Sequence, residues 1–312
     1  MNNKIIAVAG PTASGKTSLS IEIAKKFGGE IVSCDSMQVY KGMDIGTAKP
    51  DEKERSGTMH YMIDILEPFC DYNVVEFKRD AEKAIDGILS RRKLPVLVGG
   101  TGLYMDSVLN NVKFSENSKA SKERERLTEI YEKKGQAFIF RMLKRIDPEA
   151  AEKIHPNNVR RVIRALEIYF VSGKTMTQAN EESHQPKKYN SFIIGLKWDR
   201  RVLSERINKR VDIMIKNGLA DEVAALKKAG VPKDCTAMQA IGYKEMYSYL
   251  DNEITFDEAV ERIKIESRRY AKRQMTWLRR NKEINWIVIE AGQDLDKIYE
   301  QCFSLIEKFC II

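Results

Sequence analysis

Several features that mark other classes of protein are missing from this chain of 312 residues. Its five cysteines form no Cys-x-x-Cys pair and it has three histidines, so we expect neither a zinc site nor a disulfide framework. No segment approaches the roughly 18 consecutive apolar residues that span a bilayer. The first apolar run follows Met1 almost directly, which argues against a signal peptide. We therefore expect a cytoplasmic enzyme without a membrane partner.

Negative charge is nearly absent from one segment near the carboxyl end. Residues 262–282 hold nine lysines and arginines against Glu266 alone, and the whole chain carries a formal net charge of +8. A run of charge can be a solvated helix face, but such faces usually mix both signs. A helix whose charges are almost all positive indicates that its partner is a polyanion, so we predict a nucleic acid as the partner.

A phosphate-binding pattern stands near the amino terminus. Residues 10–17 follow the apolar run Ile-Ile-Ala-Val-Ala and match G-x-x-x-x-G-K-[ST]. In this pattern backbone N–H groups surround a diphosphate, the lysine adds a positive charge, and the threonine hydroxyl holds Mg²⁺. The predicted diphosphate-binding residues are Gly10, Pro11, Thr12, Ala13, Ser14, Gly15, Lys16 and Thr17, with Thr17 as the metal ligand. The pattern does not say which diphosphate is bound.

A second apolar strand lacks the acidic residue that many P-loop ATPases place at its end. The run 95–98 is followed by Gly99-Gly100-Thr101-Gly102 instead of an aspartate. Glycine lets a ligand approach closely, and the Thr101 hydroxyl can hydrogen-bond a base or a phosphate. A plain glycine turn into a helix would have the same sequence. The missing aspartate weakens an ATPase or GTPase interpretation.

The order of the predicted elements indicates an α/β fold. Strand-like and helical runs alternate along the first hundred residues, which predicts a parallel sheet with right-handed crossovers. The strand signal then disappears from about residue 115 and returns at 191–198. We predict a P-loop-type parallel sheet core flanked by helices, formed by 1–114 and 190–312, with an inserted all-helical domain at 115–189.

Asp35 follows a short predicted strand. Because ligands gather at the carboxyl ends of parallel strands, we expect Gly10, Asp35 and Thr101 to converge. An acidic group in that place serves Mg²⁺ or nucleotide hydroxyls, or acts as a general base toward a nucleophile. An aspartate before a serine is equally typical of a turn or helix cap, so both interpretations stay open.

A second basic feature lies in the predicted helical domain. Arg160, Arg161 and Arg164 fall near one face of a helix, and apolar residues occupy the other side. Together with residues 262–282 they predict two walls of one electropositive cleft. Tyr270 and Trp277, seven residues apart in that segment, are expected to pack the helix rather than stack on bases.

Taken together, the motifs resemble the tRNA dimethylallyltransferases, the isopentenyltransferases that modify an adenosine next to the anticodon. The resemblance covers nearly the whole chain and rests on seven separated segments, which are 10–17, 35–40, 46–50, 99–104, 160–164, 240–245 and 269–277. The family often has two adjacent histidines where this chain has Met59-His60, so we assign no role to His60.

The resemblance implies dimethylallyl diphosphate and tRNA as substrates and Mg²⁺ as cofactor. N6 of the adenosine 3′-adjacent to the anticodon attacks the allylic carbon, and diphosphate leaves. The target base is extruded into a channel between the core and the insertion. Asp35 would act as the general base and Thr101 would contact the adenine. The other implied tRNA contacts are Ser36, Met37, Gln38, Arg124, Arg160, Arg161, Val162, Ile163 and Arg164. We expect a monomer.

Three other functions fit parts of the sequence. A P-loop kinase for a small metabolite would transfer phosphate from ATP and would not need the basic segment 262–282. An adenylate isopentenyltransferase acting on free nucleotide would not need the helical insertion. A non-catalytic RNA-binding protein would not need Lys16, Thr17 and Asp35 together. The combination of all these features favours the tRNA prenyltransferase.

Overall fold

The computed structural model describes residues 3–114, 122–183 and 185–311. The chain divides into two compact units, one formed by Met1–Leu109 with Lys188–Ile312 and the other by Asn110–Lys187. The boundaries predicted from the sequence, at 114/115 and 189/190, lie a few residues further along the chain.

The first unit is built on a six-stranded sheet. Its strands are β1 (Lys4–Ala9), β2 (Gly29–Cys34), β3 (His60–Tyr61), β4 (Leu94–Gly99), β5 (Asn190–Trp198) and β6 (Ile284–Ile289). They are ordered β3-β2-β4-β1-β5-β6, and every pair of neighbours is parallel. The predicted α/β class with a parallel sheet flanked by helices is confirmed. The two-residue strand β3 was not expected from the sequence.

Helices occupy most of the remaining described residues. In chain order they are α1 (Lys16–Phe27), α2 (Glu52–Arg55), α3 (Val74–Ser90), α4 (Gly102–Leu109), α5 (Lys122–Lys134), α6 (Gln136–Ile146), α7 (Pro148–Lys153), α8 (Val159–Ser172), α9 (Met176–Glu182), α10 (Arg200–Lys216), α11 (Leu219–Lys228), α12 (Tyr243–Leu250), α13 (Phe256–Leu278) and α14 (Leu295–Ile311). No helix in the described ranges is long and apolar enough to cross a membrane.

Both faces of the sheet are covered, which explains the unbroken apolar strands. Along β1, Ile5 and Ala7 belong to one core cluster, whereas Ile6 and Val8 belong to another. Helices α1 and α14 supply the second cluster, and α3, α4 and α10 to α13 supply the first. Successive strand residues point to opposite faces, so a strand buried on both sides must be apolar at every position.

Helices α10 and α13, which line the site described below, each begin at a defined N-cap. The Asp199 side chain accepts hydrogen bonds from the N–H groups of Arg201 and Val202, which starts α10. Thr255 accepts from the N–H of Glu258, and the Glu258 side chain accepts from the N–H of Thr255, which starts α13. Each cap satisfies N–H groups that the first helical turn leaves unpaired.

The loop that follows β2 is held by one carboxylate. Glu222 of α11 accepts hydrogen bonds from the backbone N–H groups of Asp44 (2.9 Å), Ile45 (2.8 Å) and Gly46 (3.2 Å). It also accepts from the Tyr243 hydroxyl at 2.5 Å. Three backbone donors that converge on one side chain fix the path of this loop.

The second unit has its own core. Its described residues form helices α5 to α9, which pack around Leu127, Ile139, Leu143 and Leu166. The side chains of Val162 and Ile163 are buried in the same cluster. This unit therefore has a hydrophobic core of its own.

We expect Glu222→Ala to lower the free energy of unfolding of the first unit by about 2–3 kcal/mol, because three backbone N–H groups lose their acceptor. Urea unfolding followed by tryptophan fluorescence measures this, since the three tryptophans, Trp198, Trp277 and Trp286, all lie in that unit. Glu205→Ala, which removes an exposed α10 carboxylate paired with Arg201, is the control and should change stability by under about 0.5 kcal/mol. Equal effects would contradict the anchoring role.

Candidate functional site

The loop between β1 and α1 requires both glycines of its pattern. Gly15 precedes the first residue of α1 with a φ of 89°, a left-handed conformation that side chains disfavour. A Cβ atom on Gly10 would lie 2.6 Å from the Ser14 hydroxyl oxygen. The helix that begins at Lys16 therefore points its N-terminus at the loop, and a helix N-terminus favours an anion.

Two side chains from β5 and α10 hold the outside of this loop. The Trp198 indole Nε1 donates to the Ser14 carbonyl oxygen at 2.9 Å, and the Arg206 Nε donates to the Ala13 carbonyl oxygen at 2.9 Å. The Arg206 guanidinium also lies 4.3 Å from the centre of the Trp198 ring, a cation–π contact. These contacts fix the loop without a ligand.

Two cations share the inside of the site. The Lys16 ammonium donates to the Pro11 carbonyl oxygen at 3.3 Å, and the Arg210 Nη1 lies 3.3 Å from the Thr12 hydroxyl. Burial and the neighbouring Arg210 lower the pKa of Lys16 to about 8, although the Asp35 carboxylate opposes the change. Burial also lowers the pKa of Arg210. A site that raises the energy of its own cations gains from binding an anion.

A cavity of about 340 Å³ joins these cations to Asp35. Its polar side includes Thr12, Lys16, Thr17, Asp35, Ser36, Gln38 and Arg210. Its apolar side includes Met37, Ile63, Val98, Ile207, Val211, Met214, Ile241 and Ile263. One cavity therefore offers positive charge, a carboxylate and a hydrocarbon surface.

Asp35 caps a turn and also lines the cavity. Its Oδ1 accepts from the backbone N–H groups of Met37 (2.9 Å) and Gln38 (3.4 Å), which makes it a turn cap. The same carboxylate lines the cavity opposite Lys16. The Gln38 amide is occupied by the protein, since it accepts from the Ser33 hydroxyl and lies within 3.4 Å of the Thr47 and Ala48 carbonyl oxygens.

The glycines that follow β4 make room for protein rather than for a ligand. A Cβ atom on Gly100 would lie 2.2 Å from the Gln274 side-chain nitrogen, and one on Gly102 would lie 2.1 Å from the Trp277 ring. The sequence left open whether a ligand approaches these glycines or whether they form a plain turn into a helix, and the structure shows side chains of α13 beside them. The buried Thr101 hydroxyl lies beside the Tyr270 hydroxyl.

Helix α13 has two faces with different surroundings. Ile263, Ser267, Tyr270 and Gln274 line the cavity. A shallow basic surface on the same helix is formed by Arg269, Lys272, Arg273, Thr276, Trp277 and Arg280. Tyr270, which the sequence predicts as a packing residue, also lines the cavity. Trp277 does pack, and its Nε1 donates to Asp106 at 2.6 Å.

The predicted tRNA-contacting arginines of the second unit fall into two groups. Arg160 and Arg161 are exposed on α8. Arg124 and Arg164 both donate to the buried carboxylate of Glu167, at 2.8 and 2.9 Å. The side chains of Val162 and Ile163, which were also predicted as contacts, are buried in the core of this unit.

The family follows from comparison with known proteins. The sequence profile of the IPP transferase family matches residues 38–281. The chain belongs to the IPP transferase family. The resemblance drawn from the motifs is confirmed.

Individual members of the IPP transferase family match nearly the whole chain. A tRNA dimethylallyltransferase from Acetivibrio thermocellus is 51% identical over 286 residues, 91% of each chain. One from Bacillus subtilis is 47% identical over 307 residues and covers 97% of this chain and 98% of its own.

Two solved structures share the fold. The full-length tRNA isopentenylpyrophosphate transferase from Bacillus halodurans superposes with a TM-score of 0.75 at 43% identity, covering 98% of this chain and 96% of its own. A eukaryotic dimethylallyltransferase, solved acting on tRNA, has a TM-score of 0.84 at 31% identity, covering 99% of this chain and 80% of its own.

Sequence reasoning missed several residues of this IPP transferase site. Ile207, Arg210, Val211 and Met214 recur at helical spacing, and a lone arginine within such an apolar stripe was the available signal. Gln274 stands as an uncharged amide among basic residues. His60 also lines the cavity, and its buried Nε2 has no hydrogen-bond partner among the described residues.

The pKa of Lys16 predicts how diphosphate binding depends on pH. A bound diphosphate raises the pKa of Lys16, so binding takes up a proton when the pH exceeds the free value of about 8. Well below pH 8 Lys16 is protonated, so its titration should give the affinity for inorganic diphosphate no pH dependence. Above pH 8 the affinity should fall as the pH rises. Calorimetry in buffers of different ionisation heat measures the proton uptake. Lys16→Met should remove that uptake, and equal uptake by both proteins would contradict the assignment.

Proposed function

We propose that this chain transfers a dimethylallyl group from dimethylallyl diphosphate to N6 of the adenosine 3′-adjacent to the anticodon of tRNA, releasing diphosphate. The proposal rests on the single cavity that combines Lys16, Thr17 and Arg210 with Asp35 and an apolar wall. Membership of the IPP transferase family and relatives named tRNA dimethylallyltransferase support it.

The phosphate loop would hold the leaving group. As the allylic C–O bond breaks, negative charge accumulates on the departing diphosphate. Lys16 and Arg210 already lie in the site, so they stabilise that charge without rearrangement. The remaining loop residues, Gly10, Pro11, Thr12, Ala13, Ser14, Gly15 and Thr17, complete the proposed diphosphate site.

The hydrocarbon tail would lie against helices α10 and α13. Ile207, Val211 and Met214 follow one another on the α10 face that also presents Arg210, and Ile263 faces them from α13. A cation and an apolar stripe on the same helix face suit a molecule with a charged head and a short hydrocarbon tail.

Asp35 would act as the general base. The exocyclic amine is a weak nucleophile, so removal of its proton as the new C–N bond forms lowers the barrier. The backbone N–H groups of Met37 and Gln38 fix Oδ1, which leaves Oδ2 to take the proton. Thr101 would contact the adenine, and Ser36, Met37 and Gln38 would line the approach to Asp35.

Mg²⁺ fits the oxygen ligands of this site. Thr17, which carries a hydroxyl, lines the cavity, and Mg²⁺ favours one or two protein oxygens with the rest from phosphate and water. Bound there through Thr17, the ion would neutralise part of the diphosphate charge.

The tRNA would be held through its phosphates. Arg160 and Arg161 are exposed, and Arg124 and Arg164 flank the buried Glu167 carboxylate. The basic surface of α13 from Arg269 to Arg280 adds further cations. Each of these two groups of cations suits the phosphate backbone of RNA. The monomeric state and the cytoplasmic location stay predictions.

The direct test is incubation with dimethylallyl diphosphate labelled in the prenyl group, together with Mg²⁺ and unmodified tRNA. Label should enter the RNA, and nuclease digestion should place it on the adenosine next to the anticodon. Label that stays in the small-molecule fraction, with phosphate transferred from ATP to a metabolite instead, would favour a kinase and contradict the proposal.

Asp35→Asn separates catalysis from folding, because asparagine keeps the Oδ1 acceptor of the turn but is not a base. We expect prenyl transfer to fall by about 10²- to 10⁴-fold while the affinity for tRNA changes by less than about threefold. Single-turnover transfer and filter binding measure the two quantities. Loss of both in parallel would assign Asp35 to the fold.

Exchange of Arg160 and Arg161 for glutamine should weaken tRNA binding and make it less dependent on salt. Two lost phosphate contacts reduce the slope of log affinity against log salt concentration by about 1–2. Lys153→Gln, which removes an exposed cation of the same unit, is the control and should leave the slope unchanged. Equal slopes in wild type and the double variant would refute a role for α8 in RNA binding.

A further inference from the structure

Gln274 is a buried amide within the most basic helix of the chain. It lies on α13, between Arg273 and Met275, and its side chain is 6% exposed. Burial of an amide without hydrogen-bond partners destabilises a fold, so a buried glutamine must find partners. It finds them in two loops that are far away along the chain.

Both polar atoms of the Gln274 amide bond to the backbone. Its Oε1 accepts a hydrogen bond from the Thr12 N–H at 2.9 Å, and its Nε2 donates to the Gly100 carbonyl oxygen at 3.0 Å. One acceptor and one donor are needed at once, and an amide supplies both whereas a carboxylate supplies only acceptors. The two contacts therefore specify glutamine at this position.

The loop after β4 is shaped to receive this amide. A Cβ atom on Gly100 would lie 2.2 Å from the Gln274 Nε2 and 2.9 Å from the Gly10 carbonyl oxygen. The glycine at position 100 thus allows three segments to meet, which are the phosphate loop, the end of β4 and α13. Strands β1 and β4 are neighbours in the sheet, with Ala9 opposite Gly99, so the amide bridges adjacent strand ends.

The two anchored loops belong to different halves of the proposed reaction. Thr12 lies in the phosphate loop, which would hold the donor, and Gly100 directly precedes Thr101, which would contact the acceptor base. We infer that Gln274 is a positioning residue that sets the spacing between the donor and acceptor halves of the site. This inference rests on the proposed function.

The spacing matters because displacement at carbon needs the nucleophile close to the reacting atom. A misplacement of about 1 Å can reduce the rate by about 10²-fold even when both substrates still bind. Loss of the bridge should therefore lower kcat and leave binding nearly unchanged.

Two variants test the bridge. Gln274→Met keeps the size of the side chain and loses both hydrogen bonds, while Gln274→Glu keeps the acceptor for the Thr12 N–H and loses the donor to Gly100. We expect kcat to fall by about 30- to 100-fold in the methionine variant, with KM for dimethylallyl diphosphate and the affinity for tRNA within about threefold of wild type. In the glutamate variant kcat should fall by at least about tenfold, because the hydrogen bond to the Gly100 carbonyl oxygen is lost.

A second readout does not depend on activity. Hydrogen exchange of the Thr12 amide should accelerate in Gln274→Met, since its acceptor is gone. Gln301→Ala, which removes an exposed glutamine from α14, is the matched control and should change neither quantity. Unchanged Thr12 exchange in the methionine variant would show that the bridge does not hold the phosphate loop and would overturn the inference.

The kinetic outcomes separate the alternatives. A lower melting temperature with an unchanged kcat would make Gln274 a residue of the fold alone and would overturn the inference. A raised KM for the donor with an unchanged kcat would make it a donor-binding residue and would also overturn it. Wild-type transfer of label to tRNA tests the proposed function by itself, and the ratio of variant to wild type tests Gln274.

Discussion

The site is organised by two partly buried cations that share one space. Burial lowers the pKa of both Lys16 and Arg210, and the charge of Arg210 lowers the pKa of Lys16 further. The Asp35 carboxylate opposes the change at both groups. Such an arrangement is unfavourable without an anion and favourable with one. The tight loop at Gly10 and Gly15, the outer contacts of Trp198 and Arg206, and the packing of α10 all maintain it.

Helix α13 connects this electrostatic centre to the rest of the reaction. Its inner face brings Tyr270 and Gln274 to the strand ends, and its outer face carries the basic surface. One helix therefore contributes to the cavity and presents positive charge to the surroundings. This explains why an apolar and amide stripe interrupts an otherwise basic sequence, which a solvated face would not need.

The fold and the phosphate loop could be predicted because their signals are local. The pattern 10–17 and the apolar run 95–98 each specify a strand and a turn within a few residues. Gln274 and Arg210 could not be placed, because their partners in the phosphate loop lie about two hundred residues or more away in the chain. The groups that pack beside the glycines at 100 and 102 could not be predicted for the same reason, since only the folded chain shows α13 filling the space beside them.

The side chains of Val162 and Ile163 illustrate a second limit on what a sequence motif can predict. A five-residue motif names a segment and not the direction of each side chain, and on a helix such a segment must contain both exposed and buried positions. Arg160 and Arg161 face outward, whereas Val162 and Ile163 face the core. The burial pattern, rather than the motif, shows which side chains of the segment are accessible.

The central claim is that the phosphate loop binds a leaving group instead of a phosphoryl donor. The most direct measurement is the phosphorus product of a reaction that contains dimethylallyl diphosphate, tRNA and Mg²⁺ but no ATP. The account predicts one inorganic diphosphate released for each prenyl group that enters the RNA. Release of orthophosphate, or a requirement for ATP before any transfer occurs, would contradict it.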